Sequence, residues 1–199
     1  LIPLFLKKDF FKGVDAYTQT AVYEKLQIFL NTDEQVRILR SLSGYNDSFV
    51  VALADLYLKM GKINEAIEVL DQKIKESDKD ASGNVFVSGH YFSFGSQPLE
   101  TIFKKRIEIE HTCQADAKLQ KLTKQYVQKI PKADSLRFLL SYVSDTSELE
   151  SEVERRNVLE YCQFLESQNR LKQAQQLVEK RQELLTYQYK FYGKHKKTF

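Results

Sequence analysis

The residues of this chain best suited to chemistry are three histidines and two cysteines: His90, His111, His195, Cys113 and Cys162. Imidazole and thiolate are metal ligands, and a cysteine beside a histidine is an activated nucleophile. His111 and Cys113 stand two apart in a segment of helical spacing. Residues so spaced on a helix point to different sides, so the pair does not predict a shared metal. Glu108 and Glu110 fail as an acid/base pair for the same reason. Gly83, Gly89 and Gly95 open no helix in the manner of a phosphate loop, and no dinucleotide fingerprint is present. Two cysteines are too few for a disulfide framework. Each lies within helical spacing, where a buried free thiol is the default, and the sequence leaves open whether they meet. The expectation is a chain with no catalytic, metal-binding or cofactor-binding residues, and no cofactor.

His90 differs because of its surroundings. It lies in "SGNVFVSGHYFSFGSQP", Ser82 to Pro98, a stretch with three glycines and almost no charge between long lysine- and glutamate-rich segments. Val85 and Val87 alternate with Phe86, and Phe92 and Phe94 with Tyr91 and Ser93. Ser88-Gly89 between them suits a turn. Residues 82–97 are therefore expected to form an aromatic loop or small hairpin inserted between helices. Rings in a loop need something to pack on. Either Phe86, His90, Tyr91, Phe92 and Phe94 contact a partner, or they fill a groove of the protein itself.

The segments on either side of this stretch read as helix. Only 3 prolines and 7 glycines interrupt 199 residues, and hydrophobic residues make up 42% against 29% charged, enough to bury a core. Ala21, Val22, Leu26, Phe29 and Leu30 recur at helical intervals. "NTDEQ" offers a helix start, with Thr32 as cap and Gln35 reaching back. Gly44 suits a left-handed cap. Asn46-Asp47-Ser48 matches the glycosylation sequon, which matters only in a secreted eukaryotic protein. Beyond the loop, Pro98 suits a first helical turn. Ile102, Phe103, Ile107 and Ile109 begin a helix expected to run past Cys113 to Val127, and Pro131 ends that region. "KADSLRFLLSYV" follows as a short helix, then one capped by Ser147 with Glu148, Glu150 and Glu152 near its positive end.

The segment "FVVALADLYLKMGKINEAIEVLDQKIKES" carries the clearest pattern. One helix bears Val50, Leu53, Ala54, Tyr57 and Leu58. A turn centres on Met60-Gly61-Lys62, and a second helix bears Ala66, Ile67, Leu70 and Ile74. Small residues at Ala54 and Ala66 allow close approach, and apolar outer faces require neighbours. This resembles the tetratricopeptide repeat, on Leu53, Ala54, Tyr57, Gly61, Ala66 and Leu70. A second match is "VLEYCQFLESQNRLKQAQQLVEKRQELL", on Tyr161, Cys162, Leu165, Asn169, Ala174 and Val178. Asn169 stands where the first copy has Gly61, and cysteine occupies the small-residue position. Neither copy has the family's frequent tryptophan or closing proline. Ala66 and Ala174 are 108 apart, whereas three units of about 34 residues need about 102, so an intervening unit is irregular.

The expected organisation is all-α, with antiparallel hairpins stacked as a right-handed array of tetratricopeptide type. Residues 1–81 hold the first hairpin at about 47–80, and the insertion takes 82–97. Residues 98–192 hold the second hairpin at about 155–188, and 193–199 form a basic tail. The resemblance implies a non-catalytic protein-interaction or scaffold module whose concave groove holds a partner's peptide or helix. The opening "LIPLFLKK" without methionine is expected to make it a processed or excised part of a larger protein, and compartment is left open between cytoplasm and periplasm. The alternative is a helical enzyme or small-ligand domain with a site near 85–94. No apolar run is long enough to span a bilayer. The net charge is +3, and Lys190, Lys194, Lys196 and Lys197 leave the chain before Lys190 at −1. A near-neutral body predicts no specific nucleic-acid groove, and the lysine tail suits weak contact with an anionic surface.

Overall fold

Helix starts and stops in this chain are set by backbone amides that must find acceptors, and these partners fix where each element ends. The computed structural model describes residues 2–5, 10–80 and 96–195; the aromatic segment 81–95 and residues 196–199 lie outside the described residues. The helices are α1 Ile2–Phe5, α2 Ala16–Leu26, α3 Thr32–Ser43, α4 Ser48–Lys59, α5 Ile63–Asp80, α6 Ser96–Thr112, α7 Asp116–Lys129, α8 Ala133–Leu139, α9 Ser147–Arg156, α10 Val158–Ser167, α11 Leu171–Lys180 and α12 Leu185–Lys194. Short 3-10 turns at Gln27–Phe29 and Gln182–Leu184 join α2 to α3 and α11 to α12. The described residues contain no strand, and none of their helices is long and apolar enough to cross a membrane.

The chain divides into two compact units, Leu1–Ile109 and Glu110–Phe199, each with its own core. In the first, α4 packs on both α3 and α5. Ile38, Leu42, Leu53, Ala54, Ala66 and Leu70 are fully excluded from solvent there. Arg106 of α6, only 4% exposed, donates to Asp71 of α5 at 2.7 Å, so its buried charge has a carboxylate partner. In the second unit α10 is central and packs on α8, α9 and α11. Cys162, Leu165, Ala174, Val178, Leu184 and Phe191 form one buried cluster. Each fully buried leucine or phenylalanine contributes about 1.5–3 kcal/mol of burial free energy. The backbone N–H of Ala133, an end group of α8, donates to the Glu160 carboxylate of α10 at 2.8 Å. A remote side chain thus does the work of a local cap.

Several boundaries differ from the sequence reading. The cap of α3 is Asn31, whose Oδ1 accepts from the Glu34 amide at 2.9 Å while Glu34 Oε2 accepts from the Asn31 amide at 3.0 Å. Thr32 is already helical, and Gln35 instead donates to the Gln27 and Leu30 carbonyls. Gly44 is right-handed, with φ −73°. Ser147 is likewise inside α9; the cap position is Thr146, whose hydroxyl donates to Glu150. The 3-10 turn after α2 shifts the helical phase. Phe29 is therefore turned outward at 71% exposure, and α2 buries Tyr23 and Gln19 instead. The long helix expected through Cys113 is two helices, because Gln114 adopts φ +55°.

Candidate functional site

The two hairpins, α4/α5 and α10/α11, reverse through the same turn. At Gly61 φ is +72°, and at Asn169 it is +56°. Around Gly61 the amides of Met60, Gly61, Lys62 and Ala66 donate to the carbonyls of Leu56, Leu58, Tyr57 and Lys62. Around Asn169 the amides of Gln168, Asn169, Arg170 and Ala174 donate to Phe164, Glu166, Leu165 and Arg170. Each bond in the second set is the first shifted by 108 residues. The left-handed residue supplies the reversal, and the amide after it reaches back to the carbonyl five before it, satisfying an end group of the first helix. Gln114 repeats the arrangement, with Gln114 and Ala115 donating to His111 and Glu110. Glutamine carries no sequence signal for that conformation, which is why this third turn went unread.

On each hairpin these elements shape a depression. In the first unit it is about 480 Å³ and lies between α3, α4 and α5, against Arg40, Leu53, Glu68, Val69, Gln72 and Lys73. A neighbouring recess of about 580 Å³ shares Glu68, Gln72 and Glu76 and continues across α5 to Asn64 and Ile67. The second unit has a depression of about 530 Å³ against Glu154, Tyr161, Gln176, Leu177, Lys180 and Arg181. Shifting Leu53, Glu68, Val69, Gln72 and Lys73 by 108 gives Tyr161, Gln176, Leu177, Lys180 and Arg181. Five lining positions are thus equivalent.

The charge pattern repeats too. Lys73 Nζ lies 2.7 Å from Asp47, and Arg181 reaches Glu154 at 2.9 Å. In both cases a base on the second helix pairs with an acid from the preceding segment. Burial opposes the charge on Lys73, but Asp47 and Glu76 outweigh it and hold the ammonium above its ordinary pKa. Arg40 Nε donates to the Tyr57 hydroxyl at 2.9 Å beside the first depression. Beside the second, Glu150 accepts from Tyr161 at 3.1 Å and from Arg170 at 2.7 Å. Burial, followed by the Glu150 charge, pushes the Tyr161 phenol up to about 12. These are mixed polar and apolar recesses, open to solvent, of the kind that takes side chains of a partner segment.

A second cluster lies at the end of the chain. Glu166 of α10 is 4% exposed and accepts from Tyr187 at 2.5 Å, Lys194 at 2.7 Å and His195 at 3.0 Å. Burial opposes ionisation of Glu166, yet the donors outweigh it and hold the carboxyl below its ordinary value. Tyr187 is raised by burial and by that same carboxylate. Burial and then the Glu166 charge push the neighbouring Cys162 thiol up to about 12, so it stays protonated. This arrangement pins α12 to α10; it does not arm a nucleophile.

Of the residues singled out in the sequence, Leu53, Ala54, Tyr57, Ala66, Leu70, Cys162, Leu165, Ala174 and Val178 are all 3% exposed or less. Phe86, His90, Tyr91, Phe92 and Phe94 lie outside the described residues. Cys113 is exposed and Cys162 buried, both as free thiols. His111 stacks edge-on against Tyr142. Among the described residues no group of three His, Cys, Asp or Glu side chains is placed to hold a metal ion. No protein-family model matches the chain, and no curated protein or solved structure matches it either.

Proposed function

We propose that this chain is a non-catalytic protein-interaction module built from helical hairpins of tetratricopeptide type, and that it holds segments of other proteins in the depressions of its hairpins. The observation that carries the reading is the recurrence, 108 residues apart, of one turn and five groove-lining positions, one of them a base (Lys73, then Arg181). Folding alone would need the buried alanines and leucines to recur. It would not need the solvent-facing positions Glu68 and Gln72, and Gln176 and Lys180, to line a recess in both copies. Repeat architectures use such recurring surfaces for binding, and their hairpins need stacked neighbours to cover apolar faces.

The test is affinity capture from the native organism with the full chain as bait, compared with Val69→Lys and Leu177→Lys. Both positions are half-buried in groove walls. The expected result is a reproducible set of proteins that the wild type retains and at least one variant loses while its thermal melt is kept. An identical set on all three baits would overturn the reading.

A further inference from the structure

α12 buries one side and leaves the other bare. Phe191 is fully buried against the Cys162 cluster. On the opposite side Leu185 is 59% exposed and Tyr189 85% exposed, one turn apart and therefore on one face. Gly193 continues that row and has open space where a side chain would stand. Lys190 is exposed at its margin. From Leu185 to Phe199 the sequence has four lysines and no acidic residue. Of the nearby carboxylates, Glu166 is engaged by Tyr187, Lys194 and His195 and Glu179 accepts from the Tyr192 hydroxyl, while Glu183 stands exposed two residues before Leu185.

We propose that the outward face of α12, led by Leu185, Tyr189 and Lys190, binds the surface of an anionic lipid bilayer. An aliphatic and an aromatic tip with the exposed Lys190 at their margin, in a lysine-rich stretch of sequence, is a combination by which an amphipathic helix lies at a membrane interface. The tips enter the headgroup region while the cations meet acidic headgroups. Three alternatives fit less well. None of the three depressions described above includes an α12 residue, so the recesses suited to a peptide lie elsewhere. A second copy would bring two lysine clusters together. A nucleic acid would use the lysines and tyrosine but has no use for Leu185. The proposal does not depend on the hairpins forming a repeat array.

The experiment is co-sedimentation of the full chain with vesicles of phosphatidylcholine alone, or with about one third phosphatidylserine. The expected result is at least about tenfold stronger partition onto the anionic vesicles at about 0.1 M salt, largely lost at about 0.5 M. The double variant Leu185→Ala/Tyr189→Ala is expected to lower partition at least about fivefold. Its helical circular dichroism and melting temperature should be unchanged, because both side chains point outward. Absence of partition overturns the proposal. So does partition that the double variant leaves intact, which would mean adsorption of lysines alone. Binding to a single-stranded oligonucleotide without binding to vesicles also overturns it, in favour of a nucleic-acid partner.

Discussion

Glu166 gathers three donors from the end of the chain onto one buried side chain. A buried carboxylate is costly unless its oxygens are engaged, and here a phenol, an ammonium and an imidazole engage them. Its folded pKa lies below the ordinary 4.5. The stabilisation is therefore fully present above that value and is lost as pH falls through the lower folded value. Glu166→Gln is expected to cost about 1–3 kcal/mol at neutral pH. Thermal melts taken from neutral to acid pH should show the gap between wild type and variant closing in acid. A gap that does not change with pH would mean that the charge plays no part. None of this was legible in the sequence. The three donors stand 21, 28 and 29 residues from Glu166, and no local pattern joins them. His195 stands in the sequence only as one of three histidines with no role assigned to it; its partner depends on how α12 folds back.

At the level of elements, turns were readable where a residue type announces them and unreadable where it does not. Glycine and asparagine tolerate a left-handed backbone and marked two reversals; glutamine does not, and the helix break at Gln114 was missed. Substituting Gln114→Gly is expected to stabilise by up to about 1 kcal/mol, because the strain at φ +55° is relieved against a smaller loss of chain entropy. Gly61→Ala should cost about 1 kcal/mol for the opposite reason, although nothing lies within 4 Å of the added carbon. Chemical denaturation of both variants checks the pair, and equal shifts of one sign would contradict the turn argument. The small residues of the hairpins were readable because burial of an apolar face leaves a periodic trace. Ala66 and Ala174 are both fully buried, so Ala66→Glu and Ala174→Glu should each destabilise by several kcal/mol, roughly. Near-native melts for both would refute close helix contact at these positions. Helix starts were read one residue late at Asn31 and Thr146: at Asn31 adjacent polar residues compete for the cap and the bonded geometry selects one, while at Thr146 no side-chain cap bond forms and the Ser147 amide donates to Asp145.

For the whole molecule, the all-helical class followed from the scarcity of helix breakers and from sustained periodicity. The division at Ile109/Glu110 did not, because it falls inside α6, where composition does not change. Helical hairpins draw their stability mainly from adjacent segments. Replacing Phe86 to Phe94 with a short glycine–serine linker between α5 and α6 should therefore preserve helical circular dichroism, at a closure cost of about 1 kcal/mol or less. A large loss of helix signal would show that the aromatic segment is needed for folding. The clasp on Glu166 also determines where the polypeptide tolerates being cut. Lys194 and His195 supply two of its three donors from the last two residues the structure describes. Cutting the chain after Gly193 removes both donors, and the melting temperature is the readout. It should fall in one step once His195 and Lys194 go, as the carboxylate is stranded beside Cys162 and α12 loosens from the cluster it covers. A single anion thus fastens the end of α12 to the core of the second unit, and an abrupt drop on loss of its two donors, in place of a gradual one, would be its signature.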